Sequence, residues 1–194
     1  RWTDRPVLHL MPHWNWEGFE EKCIPVQCYS SFRRVELFVN GVSCGIHAKN
    51  PKKLFGTYRH VWSRVPYQPG ILKVNALDEN GNVLASTEIR TAGLPDHLEM
   101  ESERCGEMVF ITVSVVDRDS NPCPHASGRI DFESSGKIVA ADAGDPTSTK
   151  PFPFPYANAF HGKCAVWVKC REEVSVTAET VLNGKEIQSQ IIVK

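Results

Sequence analysis

Arg34-Val35-Glu36-Leu37-Phe38-Val39, then Asn40-Gly41, then Val42-Ser43-Cys44-Gly45-Ile46: apolar and polar side chains alternate on both sides of a dipeptide that tolerates positive φ. Asn-Gly supplies the angles of a type I′ turn, whose twist matches that of paired strands, so the stretch reads as a β-hairpin. Val35, Leu37 and Val39 are expected on one face, with Val42, Cys44 and Ile46 doing the same on the return strand. The pattern extends outward. Leu72, Val74 and Ala76 point inward from a strand at Ile71 to Leu77, and Asp78-Glu79-Asn80-Gly81-Asn82 reverses the chain before Val83-Leu84-Ala85. A strand from Ser86 to Thr91 then ends at Ala92-Gly93-Leu94-Pro95, whose Gly and Pro mark a domain boundary near residue 95.

Past that boundary the alternation restarts. Met108 to Val116 turns at Asp117-Arg118-Asp119-Ser120-Asn121-Pro122, and further strands are read at Gly128 to Glu133, Lys137 to Ala141, Cys164 to Lys169, Val174 to Ala178 and Ile187 to Val193. Asn183-Gly184 is another tight reversal. Gly144 to Ala159 breaks the series, because the prolines of Pro151-Phe152-Pro153-Phe154-Pro155 remove ladder donors, so it must be a loop or a sheet edge. Short strands between turns, with no helical periodicity, predict an all-β chain of sandwich type. An apolar alternation running into a turn occurs at Leu72 to Gly81 and again at Val174 to Gly184, a weak internal echo of two similar modules.

The 194 residues suit two modest domains. With 22 basic against 23 acidic residues the net charge is −1, which offers no general field for polyanions, so nucleic acid is not an expected partner. No stretch approaches the ~20 apolar residues of a membrane-spanning helix, and no membrane insertion is expected. The start, Arg1-Trp2-Thr3-Asp4-Arg5-Pro6, carries neither Met nor an apolar leader core, and reads as that of a processed or excised piece. The seven cysteines are odd in number. Cys164 and Cys170 on one extended strand would lie roughly 20 Å apart, beyond disulfide reach. Cys23 and Cys28 would point to opposite faces. Free, buried thiols are therefore expected, and with no C-x-x-C cluster no metal site or cofactor is expected.

Several segments, in order, resemble the C-terminal domains of family-two glycoside hydrolases, the β-galactosidase and β-glucuronidase group. Pro12-His13-Trp14-Asn15-Trp16, Ile24-Pro25-Val26-Gln27-Cys28-Tyr29-Ser30, Val35 to Gly41, Trp62, Val65-Pro66-Tyr67, Pro69-Gly70 and Thr91 to Pro95 look like the sandwich that follows the catalytic barrel. Downstream, Val115-Val116-Asp117, Ile130-Asp131-Phe132, Gly136, Asn158-Ala159-Phe160 and Gly162-Lys163-Cys164-Ala165 resemble the final bacterial Ig-like domain of such enzymes. The resemblance implies two tandem immunoglobulin-like β-sandwich domains, residues 1–95 and 96–194. It implies a non-catalytic accessory region of a β-galactosidase-type enzyme, partnered by the catalytic barrel of the same polypeptide, with carbohydrate and homo-oligomer contacts as further expectations. Periplasmic or secreted localisation follows from the family, with a cytoplasmic location the alternative. Catalysis does not carry over. Retaining glycosidases use two carboxylates ~5 Å apart; the family's acid/base Glu follows an Asn, and this sequence holds no Asn-Glu dipeptide.

His13, Trp14, Asn15 and Trp16 are the candidate carbohydrate or barrel contact, since indole faces stack on sugar rings and an amide binds hydroxyls; packing within the sandwich or against the barrel is the competing reading. Phe152, Phe154 and Tyr156 form an apolar run in a loop, expected as an interdomain contact. Asp117, Asp119 and Asn121 have the spacing of oxygen ligands, but Asn121-Pro122 breaks a calcium-loop pattern, so a polar turn is expected. His125 and His161 fall in loops, and no catalytic residue is assigned. Two other functions stay open: an autonomous carbohydrate-binding module and an Ig-like adhesion or surface segment.

Overall fold

In the computed structural model, Asn40 and Gly41 sit at φ 48° and 83°, and Asn183 and Gly184 at 52° and 76°. Both dipeptides thus take the left-handed pair of angles that a type I′ turn demands. Residues 5–52 and 56–194 are described; Arg1 to Asp4, the opening of the start read above as lacking a leader core, lie outside them. Every regular element among the described residues is a β-strand, and no helix there is long and apolar enough to cross a membrane. The chain divides into two compact units, Arg1–Thr91 and Ala92–Lys194.

The first unit contains β1 (Leu8–Met11), β2 (Cys23–Ser30), β3 (Arg34–Val39), β4 (Val42–Ala48), β5 (Arg59–Pro66), β6 (Ile71–Leu77) and β7 (Val83–Arg90). They form two antiparallel sheets, ordered β1-β2-β5 and β4-β3-β6-β7. The alternation predicted for β3 and β6 decides what fills the space between them: Val35, Leu37, Leu72, Val74 and Ala76 are fully sealed and meet Val26, Cys28 and Val65 in one core. The Asn40 turn does a second job. Its side-chain amide donates to the Pro69 carbonyl at 3.0 Å and its Oδ1 accepts from Ile71 N at 2.7 Å. A Cβ on Gly70 would lie 2.1 Å from that Oδ1, and Gly70 sits at φ +134°, so only glycine lets the two turns lock together.

On β4 the expected inward trio holds only at Cys44, which packs against the core. Val42 is 70% and Ile46 47% exposed, and Cys44 is half-buried. The register explains Ile46, though not Val42, which lies beside the turn opposite Val39: Glu36 faces Ile46 and Phe38 faces Ser43, so Leu37 alone opposes both Cys44 and Gly45, the latter at φ 97°. This bulge shifts the side-chain period by one, turning Ile46 outward beside Glu36 and bringing His47 onto the Val35 side. There His47 stacks on Trp62 at 4.4 Å and 12°.

In the second unit β8 (His97–Cys105), β9 (Met108–Val116), β11 (Lys137–Asp142) and β13 (Lys163–Lys169) pair in the order β11-β13-β9-β8. The facing sheet is ordered β12-β10-β14-β15, from β10 (Gly128–Ser134), β12 (Tyr156–Ala159), β14 (Val174–Leu182) and β15 (Lys185–Val193). Val109, Ile111, Val113, Ile130, Phe132, Val166, Val168 and Val176 fill the interior. Arg104 holds the last strand down, donating to the carbonyls of Glu172, Val193 and Lys194. The proline-rich segment is, as read, a loop running into the edge strand β12, with Phe152 O and Pro155 O accepting from Ala141 N and Phe132 N.

All seven cysteines are free, but only Cys28, Cys123 and Cys164 are buried, while Cys23 and Cys105 are exposed. Burial pushes the buried thiols up, to about 11 for Cys28 and Cys123 and about 12 for Cys164.

Candidate functional site

Between β1 and β2 the loop that carries His13 to Trp16 is anchored by its backbone and by one indole. Trp14 is wholly buried, edge-on to Tyr67 at 5.1 Å, and its Nε1 donates to Gln68 O at 2.9 Å. Its own carbonyl accepts from the Thr91 hydroxyl, and Thr91 N donates to Gly70 O. Further along, Tyr67 N donates to Lys22 O and Glu21 N to Tyr67 O. The loop therefore rides on the Tyr67–Gly70 turn and the end of β7, and a buried aromatic of this size with its N–H satisfied is a strong anchor.

With Trp14 fixed inward, His13 and Trp16 reach the surface on either side of it. Asn15 is buried, with its N–H donating to His13 Nδ1 at 3.2 Å. Trp16 and His13 are half-buried and stack at 4.8 Å with 19° between their planes. The Trp16 indole N–H donates to His13 O at 2.9 Å, so what Trp16 shows to solvent is ring, not donor. Phe19 continues the row, 6.1 Å from Trp16 and 45% exposed, and Lys22 lies 4.5 Å over the Phe19 ring. Of the four residues named from sequence, His13 and Trp16 form the outward shelf while Trp14 and Asn15 brace it from inside. Phe19 was missed; Gly18 at φ 79° and the Phe19 N to Trp16 O turn bring it round.

The second candidate group is more open. Phe152 is 59% exposed, Phe154 lies 5.6 Å from Tyr156, and the Tyr156 ring is flanked by Arg129 at 3.8 Å and Lys150 at 3.7 Å. Asp117, considered above as an oxygen ligand, takes hydrogen bonds from the backbone N–H groups of Gly93, Asp119 and Asn121 and from the Asn121 amide. Burial raises its pKa, but these donors outweigh that and hold it below the ordinary carboxylate value. The turn consumes the acceptors a cation would need. Among the described residues no group of His, Cys, Asp and Glu has metal-holding geometry.

Comparison with known proteins covers both units. Residues 95–189 match the family described as glycoside hydrolase family 2 C-terminal domain 5, and residues 21–85 match Domain of unknown function (DUF4982). The chain is 40% identical over 177 residues to a β-galactosidase of Bacteroides ovatus, covering 87% of this chain and 20% of that protein. It is 29% identical over 159 residues to a β-glucuronidase of Formosa agariphila, covering 76% of this chain and 16% of the other. Among solved structures, a β-glycosidase from Bacteroides vulgatus superposes with a TM-score of 0.84 at 29% identity, over 100% of this chain and 25% of that one. The chain thus spans about a fifth of the length of the first of these relatives.

Proposed function

Given that this chain belongs to the C-terminal region of family-two glycoside hydrolases, we propose that it is a non-catalytic accessory region that braces the catalytic barrel of the same polypeptide and shapes the rim of its sugar site through the His13–Trp16–Phe19 shelf. The observation that carries this reading is the shelf itself. Three stacked or edge-on rings project from a loop whose backbone is held to the core at Trp14, Tyr67 and Thr91. A rigid aromatic surface costs little entropy to bring against a partner or a sugar ring. With the indole N–H bonded internally, the shelf contributes flat apolar area and leaves hydroxyl recognition to its partner.

On this reading the chain alone turns over neither aryl β-galactosides nor aryl β-glucuronides. In the enzyme that contains it, Trp16→Ala lowers kcat/KM on the preferred aryl glycoside by about tenfold or more, a loss on the scale of one buried aromatic contact. Turnover by the isolated chain, or wild-type kinetics and wild-type thermal stability in the Trp16→Ala enzyme, would refute the proposal.

A further inference from the structure

On adjacent strands of the second unit two carboxylates face each other. The ladder between β10 and β14 ends with Asp131 opposite Glu179, whereas β14 goes on pairing with β15 as far as Leu182 opposite Lys185. Past Glu179 the ladder gives way to a side chain: the Thr180 hydroxyl donates to the Arg129 carbonyl at 2.8 Å. The strands part there, and a cleft of about 810 Å³ opens, lined by Arg129, Asp131, Glu179, Val181, Glu186 and Gln188. That volume lies within the range of small-molecule sites.

Like charges directly opposite one another weaken a sheet, so the pair at Asp131 and Glu179 needs its neighbours. Arg129 Nε donates to both Asp131 oxygens at 2.9 Å, and the Gln188 amide donates to Glu179. Arg129 is also held from behind, its guanidinium 3.8 Å over the Tyr156 ring. Two acceptors, Asp131 and Glu179, therefore sit side by side with a donor beyond each, Arg129 and Gln188, in preset positions beside Val181, an apolar wall that is 63% exposed. Three carboxylates against one guanidinium leave the lining negative, which disfavours phosphates and uronic acids. A cationic peptide needs acceptors alone, whereas here half of the row consists of donors. A ligand that matches both has hydroxyls that give and accept, no charge, and an apolar C–H face.

We propose that this cleft binds a neutral oligosaccharide, its hydroxyls donating to Asp131 and Glu179 and accepting from Arg129 and Gln188, with a ring face against Val181. This does not depend on the role given to Trp16. The test is an NMR titration of the whole chain with β-1,4-galactotetraose and cellotetraose, reading the Arg129 Nε–H and Gln188 amide signals. At least one tetrasaccharide should give saturable shifts there, weakened about tenfold or more by Glu179→Gln and by Gln188→Ala, both exposed positions whose folding circular dichroism confirms. The proposal is overturned if neither sugar moves those signals, if shifts appear only at His13 and Trp16, or if trigalacturonic acid or an oligolysine peptide binds there as well as the neutral sugars.

Discussion

His60 in the first sandwich and Asp117 in the second are nearly sealed from solvent, at 2% and 5% exposure, yet only one has its polar atoms matched. Asp117 collects hydrogen bonds from three backbone N–H groups and an amide. His60 has Nε2 at 3.4 Å from Phe32 O, a long contact, and its Nδ1 has no partner. The two also ionise in opposite senses. Burial lowers the His60 pKa, helped by Lys49 and His47 and opposed by Phe32 O, so the histidine is kept neutral; Asp117 is kept charged. A buried ionisable group is thus a strut where donors converge on it and a weak point where they do not.

The largest expected effect comes from removing the strut. Asp117→Ala strands the N–H groups of Gly93, Asp119 and Asn121 and should destabilise the second unit by roughly 3 kcal/mol. Urea unfolding followed by Trp167, the one tryptophan of that unit, measures it; an unchanged midpoint would remove the contrast. Next comes acid. His60 has a folded pKa below its unfolded value of ~6.5, so the unfolded chain takes up the proton first and stability falls as pH drops below ~6.5. Asp117 has a folded pKa below its unfolded ~3.9, so its contribution is complete above ~pH 4 and is lost only as pH falls further. Protection from hydrogen exchange, corrected for the pH dependence of the intrinsic rate, should therefore fall between pH 6.5 and 4.5 in the first unit and not the second, and His60→Leu should shrink that step, leaving the part due to His47, whose pKa burial also lowers. Equal loss of protection in both units would break the comparison.

The smallest effect sharpens it. Asp78 forms the same turn as Asp117, accepting from Asn80 N, Asn82 N and the Asn82 amide, but it is only half-buried where Asp117 is nearly sealed, and its donors come from its own turn alone. Asp78→Ala should shift the urea midpoint far less than Asp117→Ala. This Asp turn is a second echo between the units, beside that of Leu72 to Gly81 with Val174 to Gly184, which run into hairpins β6-β7 and β14-β15 at the same end of the orders β4-β3-β6-β7 and β12-β10-β14-β15.

How much was legible follows burial. The two-faced strands β3, β6 and β9 announced themselves through Val35, Leu37, Leu72, Val74, Ile111 and Val113, because one face of each meets a core and the other does not. Edge strands were harder. In β8 Leu98 is the one fully buried apolar residue amid Glu99, Glu101 and Glu103, and in β5 polar Arg59, His60, Ser63 and Arg64 interrupt the signal. Val83 to Thr91, read as two pieces, is chiefly one strand, β7. At the shelf, sequence could find the aromatic cluster but not which indole points inward, since that depends on Gln68 and Thr91, far along the chain. The cleft was invisible for the same reason: only strand register sets Asp131 beside Glu179.

The extra residue on β4 has one more consequence. A free sheet edge is a template for another chain, and its danger grows with the length of its uninterrupted row of N–H and C=O groups. Gly45 and the doubled residue opposite Leu37 cut that row in the middle of β4. A second molecule arriving there finds no long run to copy, so this edge should resist seeding fibrils even in crowded solution.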